Sequence, residues 1–167
     1  NKYFATKQNL RINTTWTKYV IPIPDPYKLT LEKGMFFYAA GPENNNGFTF
    51  WIDELQFEKL GTIAQPKPAI LNGEDIEQTS FIGSRIDLRS GLTQTFNLGS
   101  GLNETVLAAP SYFTFSSTDV DVARVSELGI VPIVGKGRAE ITAILDGVKA
   151  KGSLTVEVIG QFTPAPI

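Results

Sequence analysis

Two carboxylates, Asp53 and Glu54, stand inside the run FTFWIDELQFE at residues 48 to 58. Their neighbours are Phe48, Phe50, Trp51, Ile52, Leu55 and Phe57, and an unpaired carboxylate buried among them would cost several kcal/mol. Each must therefore face water, pair with a cation or bind a metal. The run alternates as a strand does, so the two side chains point to opposite faces, and Glu54 is read as the solvated one. Two further pairs, Glu74/Asp75 and Asp119/Asp121, have the residue types for general acid and base work. Both lie in turn-rich polar stretches, with nothing nearby to raise one pKa above the other as glycoside hydrolysis requires. They are read as solvated loop charges.

The chain has 167 residues with no Cys and no His. That removes thiolate nucleophiles, imidazole bases, His/Cys zinc sites and the usual serine triads. Lys plus Arg (15) nearly balances Asp plus Glu (17), so the chain offers neither the basic stripe that nucleic acid needs nor a polybasic membrane patch. A 42% hydrophobic content is that of a folded protein. The longest apolar runs, such as GIVPIVG, fall far short of the roughly 20 residues of a membrane span. The chain opens on Asn1 without a charged start and apolar leader, so it is read as a processed or excised piece with sequence upstream.

The elements that must position these residues are short. Runs rich in β-branched and aromatic residues recur between Gly, Pro and Asn, and no window sustains an apolar period of 3.6 with caps, so the chain is read as all-β. Strands are expected at 9 to 13, 15 to 23, 34 to 40, 47 to 57, 84 to 89, 93 to 98, 112 to 116, 121 to 126, 129 to 134, 137 to 145 and 150 to 158. Hairpin turns are expected at NNNG, 44 to 47, and LDGV, 145 to 148, which supply residues tolerant of positive φ. VGKG, 134 to 137, lacks the spacing and following helix of a phosphate loop and is read as a Gly-rich turn. Pro66 and Pro68 bracket Lys67 and deny the backbone two amide donors, which places a linker at 63 to 74.

Residues 112 to 158, YFTFSSTDVDVARVSELGIVPIVGKGRAEITAILDGVKAKGSLTVEV, resemble the bacterial Ig-like group 2 family (BIG2). The likeness lies in the aromatic before a Ser-Ser-Thr-Asp turn, the VARV segment, the GKGRAEIT segment and the closing LTVEV. RIDLRSGLTQTFNL upstream fits the family's opening strands, and GSGLNETVLAAPS is a longer, atypical piece. The residues agree independently, since Ile141, Ala143 and Leu145 share one face, as do Leu154, Val156 and Val158. Such alternation suits two sheets packed about an apolar core. The resemblance implies an Ig-like sandwich over 75 to 160 with a tail at 161 to 167, acting as a secreted or surface-displayed spacer or adhesion module.

Residues 9 to 58 carry NLRINTTWTKYVIPIPD, LEKGMFFYAA and GFTFWIDELQFE, and are similar to the C-terminal half of galactose-binding-like jelly rolls found as carbohydrate-binding modules. The resemblance implies that residues 1 to 62 form a partial jelly roll of about four strands, with Trp16, Phe36, Phe37, Phe48 and Phe50 in its core. About 60 residues with a strand apolar on both faces cannot close such a core, so an upstream half-domain, a partner chain or strand exchange between copies is expected to cover it. The resemblance also implies that Asp53 helps hold a structural Ca2+, whose oxygen coordination would offset the carboxylate's desolvation. A glycan site would draw on Tyr38 and Trp51 as aromatic faces, with Arg11 and Asn13 as polar groups.

The whole is therefore read as a partial jelly-roll β-sandwich followed by an Ig-like β-sandwich, in a secreted or cell-surface bacterial protein. Its expected function is non-catalytic, as a carbohydrate-binding accessory region meeting a polysaccharide or cell-surface glycan, with a larger glycoside hydrolase as one parent it could belong to. The alternative is a structural Ig-like stalk or adhesin or surface-layer segment that binds no glycan.

Overall fold

The computed structural model describes residues 2–42, 45–60, 65–99 and 101–162. Its strands are β1 (Ala5–Thr6), β2 (Lys67–Ala69), β3 (Asp75–Ile82), β4 (Arg85–Asp87), β5 (Thr93–Asn97), β6 (Asn103–Ala108), β7 (Phe113–Ser117), β8 (Ile130–Pro132), β9 (Gly137–Leu145), β10 (Val148–Lys149) and β11 (Ser153–Gln161). The helical elements are single 3-10 turns, so the described chain is all-β.

One sheet has the antiparallel order β1-β6-β5-β2. The other runs β7-β9-β11-β3, with β10 folded back on β9 and β11 parallel to β3. β4 and β8 form a two-stranded ribbon. The core follows from period-two alternation: Ala139, Ile141, Ala143 and Leu145 of β9 and Leu154, Val156 and Val158 of β11 are buried, while their strand neighbours Arg138, Glu140 and Glu157 are exposed. These inward residues join Leu88, Leu92, Ala108, Tyr112 and Val131 in one apolar cluster. The two sheets pack about this core as a β-sandwich, over the span where an Ig-like one is expected.

β9 occupies the expected span, and β4, β5, β7, β8 and β11 lie within a few residues of theirs. The LDGV turn forms as read, with Asp146 at φ 48° and Gly147 at φ 74° between the paired Leu145 and Val148. Residues 43 and 44, beside or within the NNNG turn, lie outside the described residues.

Several elements depart from expectation. Lys67–Ala69, inside the expected linker, pairs with β5 and sets Pro68 opposite Gln94. β2 is an edge strand, where a proline's missing N–H is tolerated. β3 was not expected, because its partly inward positions include Gln78 and Ser80, which blur the apolar alternation. β6 arises from the atypical insert and pairs with β5. The strand expected at 121 to 126 is instead a turn: Val122 N and Ala123 N both donate to Asp119 O, and Ala123 alone bridges Ile133.

The largest correction concerns residues 9 to 60. None of the strands expected at 9 to 13, 15 to 23, 34 to 40 and 47 to 57 forms; the described backbone there holds one 3-10 turn, Pro26–Lys28. The aromatic residues assigned to a core are not in one. Trp16 is 75% and Phe37 85% exposed, Phe36 and Phe48 are also exposed, and Phe50 is only half-buried. The reason is the one that forbids closure: strands gain stability from a second apolar layer, and this stretch supplies none.

Candidate functional site

Asp53 and Glu54 both face water. The Asp53 Oδ1 accepts a hydrogen bond from the Glu54 N–H at 2.8 Å, and Glu54 sits at φ 50°. The opening question is thus met by solvation and a local bend. Among the described residues no three or more Asp or Glu side chains gather as a metal-binding group.

Tyr38 is 59% exposed and stands edge-on to Phe50, with ring centroids 5.3 Å apart. Trp51, the next residue after Phe50, is 74% exposed. Arg11 is exposed and its carbonyl accepts from the Tyr19 hydroxyl; exposed Asn13 donates through Nδ2 to Thr17 Oγ1 at 3.4 Å. The Tyr38 ring thus packs on Phe50, and among the described residues no hydrogen bond or ring pair joins Trp51, Arg11 or Asn13 to it.

The two acid pairs are used locally: Asp119 Oδ1 accepts from Asp121 N at 2.9 Å in a turn, while Asp75, at the start of β3, accepts across the ladder from Ser153 Oγ at 2.9 Å. An open hollow of about 380 Å³ is lined by Lys18, Val20, Glu58, Leu60, Leu98 and Leu102, among others. Two of its charges are paired with each other: Lys18 Nζ donates to both Glu58 oxygens, at 2.8 and 3.1 Å, and this bond above all holds the Glu58 carboxyl below the usual carboxylate range.

The most fully built polar constellation lies where residues 2 to 28 meet the sandwich. Asp25 is buried and caps the Pro26–Lys28 turn by accepting from Tyr27 N at 3.0 Å. Lys28 Nζ donates to the carbonyls of Ser111 (3.4 Å) and Tyr112 (3.2 Å). The Tyr3 ring packs on that of Tyr112 with centroids 5.1 Å apart. Tyr3, Lys28 and Tyr112 lie beyond reach of sequence reasoning as a group, since 84 residues separate Lys28 from Tyr112. Only Asp25-Pro26, a start signal for a short turn, marks the place locally.

Burial first, then the carboxylates of Asp25 and Glu32, push the Tyr112 hydroxyl up to about 12. A folded pKa above the unfolded value of 10.0 favours the neutral, protonated hydroxyl in the folded state. That contribution is whole below pH 10 and is lost as pH rises toward 12. Denaturant midpoints are therefore expected to fall over that window. In Tyr112→Phe, which keeps the ring and removes the ionisation, this part of the fall should be absent.

No family model matches the chain, and no curated protein matches it. Among solved structures it is similar to an intimin mutant of EHEC O157:H7, at 15% identity and a TM-score of 0.29. That match covers 57% of this chain and 47% of the other, so this chain spans about half of that neighbour's length. No helix among the described residues is long and apolar enough to cross a membrane.

Proposed function

We propose that the chain is a non-catalytic, structural region of a secreted or cell-surface bacterial protein, in which the Ig-like sandwich is a load-bearing spacer. The observation that carries this reading is the parallel ladder of β3 and β11, the first long strand of the sandwich and its last, which pair over Asp75–Ser80 and Ser153–Val158. Tension on the two ends of the sandwich pulls these parallel strands in opposite directions along their shared axis. The ladder bonds are then strained together, not one at a time. In single-molecule pulling, the chain held by its ends is expected to rupture at a clearly higher force than when held across the β9–β10 hairpin, which unzips bond by bond. Equal forces in the two geometries would defeat the spacer reading.

A second reading is favoured by the exposed rings of Tyr38 and Trp51: the upstream region binds a polysaccharide or cell-surface glycan through them, Arg11 and Asn13. In that reading Asp53 holds a structural Ca2+, an upstream half-domain or partner chain covers the apolar residues around Trp16 and Phe37, and the parent is a larger glycoside hydrolase or surface protein. Its support is aromatic exposure of the kind that stacks on pyranose rings. Affinity electrophoresis across soluble polysaccharides, in Ca2+ and then EDTA, tests it. A retarding glycan whose effect drops tenfold or more in Tyr38→Ala or Trp51→Ala, with the sandwich still folded, is the expected result. Unchanged mobility on every glycan leaves the spacer reading alone.

A further inference from the structure

Without β1, strand β6 would be a sheet edge with a row of unsatisfied N–H and C=O groups, the usual template for adding another strand. In this chain the row is occupied from a hundred residues upstream. Ala5 lies opposite Ala108 and Thr6 opposite Leu107, antiparallel, and the ladder extends to Ala109, whose N–H donates to Phe4 O at 3.0 Å. Side chains hold both ends of the added strand. Tyr3 packs on Tyr112, itself only 1% exposed, while Lys28 anchors to the Ser111 and Tyr112 carbonyls with its Nζ 6.0 Å from the Tyr3 ring centre. At the other end the Lys7 ammonium lies against the Glu104 carboxylate at the start of β6.

We infer that the β6 edge is a strand-accepting interface whose occupant is the chain's own residues 3–6, so that the upstream region is clasped to the sandwich and is not a bead on a free linker. The interface reads an aromatic side chain, three residues of main chain and then a cation, in that order, which Tyr3, Phe4, Ala5, Thr6 and Lys7 present. Closing so long a loop costs chain entropy, and the ring packing, ladder and two lysine anchors offset it. The inference is independent of both functional readings, because it concerns how the upstream region is held and not what it binds.

The antiparallel ladder supplies a direct test. Ala109 N points to β1 and Ala108 N points the other way, to Leu92 O just before β5, so by alternation Ala5 and Ala108 face each other as a non-hydrogen-bonded pair, with Cβ atoms about 4.5–5.5 Å apart. In this cysteine-free chain, Ala5→Cys with Ala108→Cys is expected to oxidise to an intrachain disulfide in a monomer, whereas Ala5→Cys with Ile144→Cys, on the other sheet, is not. Free thiols in the first pair would overturn the inference. A disulfide-linked dimer would overturn it too, by showing that the strand comes from a second copy.

Hydrogen exchange on the full chain gives a reading that does not depend on the cysteines. Thr6→Pro removes a ladder donor and should raise exchange of the Leu107 and Ala109 amides at least tenfold, with the Ile141 amide of β9 unchanged. Unchanged exchange at Leu107 and Ala109 would show that β1 does not cover the edge.

Discussion

Gly152→Ala is expected to cost about 3 kcal/mol or more of unfolding free energy, seen as a lower urea midpoint with little change in slope. Gly152 holds φ 90°, a region that L side chains rarely enter. A Cβ there would stand 2.4 Å from Ile70 O and 2.8 Å from Glu74 O. Both obstacles are backbone, so no rotamer change relieves them. They also belong to the corner that starts the β3–β11 ladder: Ile70 N donates to Lys151 O at 2.9 Å, and Ser153 N to Glu74 O at 3.2 Å. The same variant should therefore lower the end-to-end rupture force. A loss below about 1 kcal/mol would show that this corner is not held against β11.

Ile141→Ala should be costlier still for the core as a whole, by about 4 kcal/mol. Ile141 is fully buried at the centre of β9, opposite Leu154 of β11 on one side and Ser117 of β7 on the other. Removing its outer carbons leaves a cavity that two flanking strands cannot both close around. A domain with a typical margin of about 5–15 kcal/mol would lose a large share of it. Ile141→Val, one methylene smaller, should cost only about 1 kcal/mol, and Trp51→Ala, outside the core, close to nothing. If Ile141→Ala and Trp51→Ala moved the denaturation midpoint equally, the placing of the core would be wrong.

These expectations separate what was legible in the sequence from what was not. GRAEITAIL was legible as a strand because its inward residues, Ala139, Ile141, Ala143 and Leu145, are all apolar and its outward ones mostly polar. β3 was not, since Glu77 and Thr79 face water while Gln78 and Ser80 turn partly or wholly inward, leaving alternation without contrast. Pro68 argued for a linker because a proline removes a donor, yet at an edge that donor has no partner to lose. The candidate site was legible as residue types only. Asp53 stood out for its apolar neighbours, but whether those neighbours are packed depends on a second layer that no local pattern contains.

By itself, the sequence determined the all-β class, the absence of thiol and imidazole chemistry, the Asp146-Gly147 turn and the apolar faces of β9 and β11. All follow from residue type and from periods of a few residues, which the backbone enforces locally. Tertiary structure alone decided that β3 lies parallel to β11, that residues 9 to 60 leave most of their aromatic rings exposed, and that residues 3–6 complete the edge of β6. Each of these depends on partners tens of residues away, chosen by which edges and faces are left to cover once the local elements have formed.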